Sequence, residues 1–306
     1  MPPVPTSRSM VVCTWADAGL TNPFLRYVAS FEQLLDSGRG LDAASAPSPE
    51  LPPLAQGAPV CLVCSPHPDD EAIAGGLPWR LRSQSGWRVV NVAVTLGSNQ
   101  GRRAARWNEL LACCAYLGFE LVSASGESHT GLERITPQTA QQDAAYWAAC
   151  VARVADLITH YQPRLIVCPH QNDGHAAHTG THLLVMDALR RLGPGVQAHL
   201  ALSEYWNTQP DPGLMVELGP SDVATLMAAL SQHVGEVARN PYHLTLPAFL
   251  MDGVRRGAER VGAPGSAAPQ FSFAALYGWR RWAQGQSLPL PAQVLALHRL
   301  PATLFG

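Results

Sequence analysis

Between residues 60 and 202 the sequence alternates short apolar runs with longer segments of amphipathic, helical spacing. The apolar runs cover residues 60–64, 88–94, 119–122, 165–168 and 199–202, and the helical segments cover about 70–85, 101–117, 138–161 and 178–192. A run that is apolar at nearly every position is typical of a strand buried on both faces. Strand–helix alternation with short connections predicts an α/β protein with a Rossmann-like, doubly wound, mostly parallel sheet. Such a sheet binds ligands at the carboxyl ends of its strands.

The rest of the chain divides around this unit. Residues 1–56 are expected to form an N-terminal extension and linker, in which residues 24–35 have helical character and a segment rich in Ser, Ala, Gly and Pro follows. Residues 57–306 are expected to form one catalytic domain. After residue 207 the alternation stops, and we expect a helical and loop elaboration that includes an amphipathic helix over residues 223–237.

Composition excludes several partners. With 14% charged residues, a net charge of −2 and no basic stripe, the chain is not expected to bind nucleic acid or an anionic membrane surface. No apolar run approaches the ~18 residues of a membrane span, and the first residues lack the basic and apolar regions of a secretory signal. Seven cysteines without framework spacing favour reduced thiols and a cytoplasmic location. Cys61 and Cys64 lie three apart on a predicted strand, so we interpret them as small hydrophobes on opposite faces.

Two groups of polar residues follow the first and fourth predicted strands. Residues 65–71 read Ser-Pro-His-Pro-Asp-Asp-Glu, and residues 169–178 read Pro-His-Gln-Asn-Asp-Gly-His-Ala-Ala-His, with His182 one helical turn later. In a doubly wound sheet the first strand and the strand that starts the second half flank one crevice, so the two groups are expected to face each other. Two histidines and a carboxylate with one open position form a catalytic zinc set.

Each of these residues also has a structural interpretation. Asp69 and Asp70 stand where helix-cap and first-turn acids are favoured. His67 fits a hydrogen-bonded loop histidine. His178 and His182, at i and i+4, fit a buried histidine and its solvated neighbour, and the spacing also leaves them open as a rival ligand pair. These interpretations explain the residues one at a time, whereas a metal site explains their occurrence together at two adjacent strand ends.

The motifs resemble those of the PIG-L/LmbE-like N-acetylglucosaminyl deacetylase family. The hallmark Pro-His-Pro-Asp-Asp-Glu is present unchanged at residues 66–71, and two histidines three apart stand at residues 175 and 178. An Arg-x-x-Glu-Leu helix that ends in Leu-Gly is matched over residues 106–118. The resemblance covers about residues 58–206.

The resemblance implies a role for each polar residue. His67, Asp70 and His178 would be the metal ligands, Asp69 the general base, and His175 the electrostatic or acid partner. The implied cofactor is Zn²⁺, with another divalent ion such as Fe²⁺ as the alternative. A bound zinc lowers the pKa of water toward ~7 and polarises an amide carbonyl.

The chain departs from the family pattern at two places that concern substrate contacts and the support of the ligands. Ala176 and Ala177 separate the two histidines, where the family usually has His-Pro-Asp-His, and residues 98–101 replace the usual Gly-Glu. For substrate binding, Arg102 and Arg106, together with the neighbouring Arg103, are candidates for a hydroxyl, phosphate or carboxylate, with a solvated helix face as the alternative. Trp206 is expected to be either a sugar-stacking platform or a core residue. We interpret His233 as a core histidine and expect residues 239–243 to approach the site.

The sequence therefore predicts a zinc-dependent deacetylase that hydrolyses the N-acetyl amide of an amino-sugar-like substrate. Its partner would be a small N-acetylated sugar or conjugate, and homo-oligomerisation is left open. One alternative is an amidase of a larger thiol-sugar or other acyl-amide conjugate. Another is a non-catalytic sugar-binding module, although such a module has no need of an unligated carboxylate like Asp69 beside the metal. No Gly-x-Gly-x-x-Gly turn follows the first strand, which excludes a nicotinamide dehydrogenase.

Overall fold

The computed structural model describes residues 22–41 and 46–305, and the chain divides into two units, Met1–Leu41 and Asp42–Gly306. In the first unit the helical character is confirmed, because helix α1 spans Leu25–Gly38. Within this helix the rings of Tyr27 and Phe31 meet edge to face, with their centroids 5.3 Å apart. The boundary between extension and catalytic domain at residues 56 and 57 stays a prediction.

The second unit contains nine strands and nine helices among its described residues. The strands are β1 (Val60–Ser65), β2 (Arg88–Ala93), β3 (Glu120–Ser123), β4 (Leu165–Pro169), β5 (Ala198–Ser203), β6 (Leu214–Leu218), β7 (Phe273–Ala283), β8 (Gln286–Pro289) and β9 (Gln293–Leu295). The helices are α2 (Asp70–Ile73), α3 (Gly76–Ser85), α4 (Arg103–Leu117), α5 (Pro137–Gln142), α6 (Ala144–Tyr161), α7 (Ala176–Leu192), α8 (Pro220–Leu230), α9 (Val234–Val237) and α10 (Tyr242–Arg260). Within the part of the chain that the structure describes, no helix combines the length and the hydropathy that a bilayer crossing requires.

The strands form one sheet in the order β3-β2-β1-β4-β5-β7-β6-β9, with β8 paired to β7. The first five strands run parallel, and Leu62 of β1 lies opposite Val90 of β2 on one side and Ile166 of β4 on the other. The order changes direction at β1 and β4, which is where a doubly wound sheet opens its ligand crevice. The predicted α/β fold with a central, mostly parallel sheet is confirmed.

Burial of the strands on both faces explains their continuous apolar runs. All six residues of β1 are buried. Cys61 packs in the hydrophobic cluster on one side of the sheet, and Cys64 packs in the cluster on the other side. The predicted separation of these two thiols is therefore confirmed, and the six cysteines within the described residues are all free.

The helix predicted over residues 70–85 is broken between α2 and α3. Pro78 has no N–H to donate to the carbonyl of Ala74, so a continuous helix would leave that carbonyl unpaired. The hydroxyl of Tyr277, on β7, donates to the Ala74 carbonyl at 2.8 Å and accepts from the Leu77 N–H at 3.0 Å. A residue two hundred positions away thus satisfies the backbone at the break.

The region after residue 207 contributes strands as well as helices. We expected a helical and loop elaboration there, and α8 and α10 are helical, but β6 to β9 extend the parallel sheet with mainly antiparallel pairs. Strand β7 lies between β5 and β6, although its sequence position is more than fifty residues beyond either. The helix predicted over 223–237 is likewise divided into α8 and α9, with His233 at the junction.

Candidate active site

The two polar segments meet where β1 and β4 end side by side. His67 Nδ1 lies 3.2 Å from His178 Nε2, and Asp70 Oδ2 lies 3.5 Å from the first nitrogen and 3.3 Å from the second. Asp70 and His178 are buried and His67 is partly buried. The three residues implied as ligands therefore form one compact triangle of donor atoms.

The dimensions of this triangle fit a tetrahedral metal. Bonds of about 2.0–2.2 Å to nitrogen and oxygen at tetrahedral angles separate neighbouring ligand atoms by about 3.3 Å. The three edges of 3.2, 3.5 and 3.3 Å match that value. Two imidazole nitrogens and a carboxylate are also the donor types that zinc and ferrous iron accept. The residues present therefore fit the predicted cofactor.

Local backbone structure orients the three candidate ligands. Asp70 is the first residue of α2, and its Oδ2 accepts a hydrogen bond from the His67 N–H at 2.9 Å. His178 lies in the first turn of α7, after the carboxyl end of β4. Although burial alone would raise it, the pKa of the Asp70 carboxyl is lowered by the nearby imidazoles of His178 and His67.

Asp173 supports His178 from behind. Its Oδ1 lies 3.1 Å from His178 Nδ1, its Oδ2 accepts from the Trp206 N–H at 3.1 Å, and its side chain is completely buried. Burial opposes protonation of His178, yet the carboxylates of Asp70 and Asp173 together raise its pKa. A carboxylate behind a ligating imidazole holds the ring in place and makes it a stronger donor. The sequence prediction assigned no role to Asp173, although its position in a buried loop between strand and histidines was a usable signal.

Asp69 lies beside the triangle and lines the same cavity. Its side chain makes no cap hydrogen bond to α2, so the structure does not support the helix-cap interpretation. Among the described residues, none donates a hydrogen bond to its carboxylate. Burial, and after it the negative charges of Asp70 and Glu71, raise the pKa of this carboxyl well above its usual range.

His175 lies on the open side of the triangle. Ring nitrogens of His67, His175 and His178 all lie within 4.8 Å of one another. His175 Nδ1 accepts from the Ala177 N–H at 3.3 Å and so caps α7, which leaves Nε2 to carry the proton. Burial, and then the neighbouring imidazoles, lower the pKa of His175. A neutral imidazole with an available N–H at this place is able to donate to a substrate.

His182 does not take part in the cluster. Its Nδ1 bonds to the carbonyl oxygen of Pro169 at 2.9 Å, and its side chain lines a different cavity. The geometry thus disfavours His178 and His182 as a ligand pair.

The cavity above the triangle has a volume of about 660 Å³. The further candidates differ in their relation to it: Arg106 and Trp206 line it, whereas Arg102 does not. Trp206 is 62% exposed and stacks on His175 with the ring centroids 6.0 Å apart, so it is not a core residue. Arg103 lines the cavity and pairs with Glu133.

The segment after α9 also reaches the cavity, as expected for residues 239–243. Arg239 and Tyr242 line it together with Glu236. Glu236 accepts from Arg102 at 2.7 Å and from Arg239 at 2.6 Å, and it lies 3.0 Å from Arg106. Against the effect of its own burial, these three guanidinium groups lower the pKa of Glu236. Three guanidinium groups thus surround the Glu236 carboxylate, with Asp69 and Glu109 nearby, and we call this arginine-rich group the positive wall.

The fold and the site together define a class: a doubly wound α/β protein whose switch-point crevice holds a histidine–carboxylate centre of metal-binding type. Residues 62–189 match the PIG-L family model, described as GlcNAc-PI de-N-acetylase, which confirms the family resemblance seen in the sequence. No curated protein matches the chain.

Solved structures of similar fold include the following three. GalB, the 4-carboxy-2-hydroxymuconate hydratase of Pseudomonas putida, has a TM-score of 0.53 at 17% identity and covers 78% of this chain and 100% of its own. A conserved protein of Thermus thermophilus has a TM-score of 0.51 at 17% identity, over 78% and 98%. The antimicrobial reagent A40926 pseudoaglycone deacetylase has a TM-score of 0.51 at 17% identity, over 75% and 99%. At these identities the likeness concerns the fold.

Proposed function

We propose that this protein is a zinc-dependent deacetylase that hydrolyses the N-acetyl amide of an amino-sugar-like substrate. The observation that carries the proposal is the triangle of His67, Asp70 and His178 with the unligated carboxylate of Asp69 beside it. A binding module would not need such a carboxylate. The PIG-L match over residues 62–189 supports the same chemistry, and the fold is one that a deacetylase is known to use.

In this proposal each residue has one task. His67, Asp70 and His178 hold the ion, which when bound polarises the amide carbonyl and lowers the pKa of water. Asp69 takes the proton of the water that adds to the carbonyl carbon. His175, neutral with an available N–H, donates a hydrogen bond to the developing oxyanion, and the proton that Asp69 has taken up passes to the departing nitrogen. Water is consumed, the carbon–nitrogen bond breaks, and acetate and a free amine are released.

The cavity limits the substrate. A volume of about 660 Å³ suits a ligand of mono- or disaccharide size. Trp206 offers an exposed aromatic face beside His175, which suits stacking on a sugar ring. The positive wall around Glu236 suits an anionic or hydroxyl-rich substituent, which Arg106 and Arg239 would contact.

The proposal also covers the cellular location of the protein and the alternatives to its substrate and reaction. We propose a cytoplasmic location, which the free cysteines support. A larger acyl-amide conjugate stays the alternative substrate. One structure of similar fold is a hydratase, so water addition without amide cleavage is an outcome that the assay must be able to detect.

The test combines metal analysis with a substrate panel. We expect about one divalent ion per chain, zinc by preference, and release of free amine from at least one N-acetylated amino sugar. A chelator should abolish turnover and added zinc should restore it. The panel should contain matched neutral and anionic N-acetyl sugars, and product mass separates hydrolysis from hydration. Full turnover by thoroughly stripped protein would refute the metal role, and hydration without amine release would refute the deacetylase.

Within that panel, Arg239→Gln tests the positive wall. It should raise KM for the anionic sugar while KM for the matched neutral sugar stays the same, because only the anion loses a charged partner. Arg255→Gln is the matched control, since Arg255 is exposed and pairs with Asp252 away from the cavity. An equal effect of Arg239→Gln on both sugars would contradict recognition of an anion by this wall.

A further inference from the structure

The backbone of Asp69 is held in a conformation that L-residues rarely adopt. Its φ is 119° and its ψ is −27°. Such a conformation is strained and persists only where surrounding contacts hold it. The backbone conformation sets the direction of the Asp69 side chain. The contacts that hold this backbone therefore also decide where the carboxylate of the proposed base lies.

Glu71 holds the N–H side of this backbone, whereas the N–H groups of Ala72 and Ile73 donate to the Asp69 carbonyl. Glu71 Oε2 accepts from the Asp69 N–H at 3.0 Å, and the Glu71 side chain is completely buried. A buried carboxylate needs several hydrogen-bond donors to stay in place. Another donor comes from a distant part of the chain: His233 Nε2 lies 2.6 Å from Glu71 Oε1, and His233 is also completely buried.

The pair is a hydrogen-bonded support rather than a second metal site. Ligand atoms of Glu71, Cys113 and His233 lie within 4.8 Å of one another, which makes a metal a possibility to examine. Two ligands of one tetrahedral ion lie about 3.3 Å apart. The 2.6 Å between His233 Nε2 and Glu71 Oε1 is shorter and corresponds to a short, direct hydrogen bond.

We propose that His233 is a positioning residue for the reaction: through Glu71 it holds the backbone of Asp69 so that the carboxylate stays beside the metal ligands. His233 lies between α8 and α9, outside the segment that matches the family model. The inference rests on the proposed function only in so far as Asp69 acts as the base. Without the imidazole, the buried Glu71 carboxylate has one hydrogen-bond donor fewer and is free to reorient. Reorientation of Glu71 weakens its hydrogen bond to the Asp69 N–H.

Two variants of His233 test the positioning role. His233→Leu fills similar space without a donor, whereas His233→Gln places an amide N–H close to the position of Nε2. For His233→Leu we expect unchanged zinc content, an unchanged KM and a kcat that falls by about 10²-fold, the usual effect of a displacement near 1 Å. His233→Gln should recover most of the loss. Ile158→Ala is the control for general destabilisation, because Ile158 is buried on α6 and does not line the active-site cavity.

A second measurement does not depend on turnover. Amide hydrogen exchange resolved at Asp69 in the zinc-loaded protein should be faster in His233→Leu than in the wild type, and close to the wild type in His233→Gln and Ile158→Ala. If the wild type releases no amine from the panel but exchange at Asp69 is still faster in His233→Leu, the deacetylase proposal is refuted and the positioning role of His233 stands. Wild-type kcat and wild-type exchange in His233→Leu would overturn the inference. Loss of zinc in that variant, or an equal fall of kcat in Ile158→Ala, would overturn it as well.

Discussion

Replacing Asp69 by Asn should lower the rate and raise the stability of the same protein. The Asp69 carboxylate accepts no hydrogen bond from any described residue, so an amide in its place breaks none. Asn also tolerates a positive φ better than most residues, so the backbone at 119° is retained. What the substitution removes is a buried negative charge close to Asp70 and Glu71.

The sign of the stability change follows from the raised pKa of Asp69. An unfolded Asp has a pKa of about 3.9. When the folded pKa is higher, the folded state binds the proton more tightly, and ionisation above that range opposes folding. In metal-free protein, Asp69→Asn should therefore raise the urea midpoint at pH 7.5. The gain should shrink as the pH falls and vanish below about pH 3, where Asp69 is protonated in both states.

The rate should change in the opposite direction. Loss of a positioned proton acceptor costs about 10²–10⁴ in kcat, equivalent to about 2.7–5.5 kcal/mol of activation free energy. Asp69→Asn keeps all three ligands, so its zinc content should stay near that of the wild type. Asp70→Asn is the matched comparison, because it replaces the ligand whose Oδ2 lies 3.3 Å from His178 Nε2, and it should lose zinc and activity together.

Elemental analysis, amine release and urea titration on these two proteins decide the matter. Normal turnover in Asp69→Asn would remove the base from the mechanism. Zinc loss in Asp69→Asn equal to that in Asp70→Asn would show that Asp69 is itself a ligand. A lower urea midpoint for metal-free Asp69→Asn at pH 7.5 would contradict the electrostatic argument.

Three further outcomes follow from the same structure. Asp173→Asn should weaken zinc binding by about 10–100-fold at nearly constant kcat for the loaded enzyme, measured by competition with a chelator; unchanged affinity would contradict its support of His178. Tyr277→Phe should lower the free energy of unfolding in urea by about 2–4 kcal/mol, because two buried backbone groups lose their hydrogen-bond partner. Tyr116→Phe is the control and should change that free energy little, because the Tyr116 hydroxyl bonds to an exposed carbonyl. A chain that begins at Gly57 should still bind zinc at lower stability, because Leu51 packs on the core; a folded protein without zinc binding would show that residues 1–56 contribute a ligand.

Much of the parallel half of the sheet could be predicted because its signals are local. Strands β1, β2, β4 and β5 are buried on both faces at nearly every position, so their apolar runs are visible in the sequence without knowledge of their neighbours, whereas the edge strand β3 is only partly buried. The break between α2 and α3 was missed for the opposite reason. Pro78 weakens a continuous helix, but the hydroxyl that makes the break favourable belongs to Tyr277 on another strand.

The site shows the same division. The meeting of His67 and His178, 111 positions apart, follows from a general property of doubly wound sheets together with the motif at residues 66–71. The place of Asp173 in the polar loop was visible in the sequence, but its contact with His178 and the bond from the Asp69 N–H to Glu71 were not, because residue spacing does not specify the geometry of single contacts. Those geometries depend on how α7 and the α8–α9 junction pack against the strand ends.

The sequence by itself determined the fold class, the edge of the sheet that carries the chemistry and the residue types available there. These depend on periodic burial and on motifs within a few residues of each other. The tertiary structure alone decided which nitrogen of each histidine faces the centre, that His182 belongs elsewhere, and that His233 reaches Glu71 across 162 positions. It also decided that β7 pairs between β5 and β6. Such choices are made by packing and by hydrogen bonds between distant segments, whose energies have no signature in the local pattern of either segment.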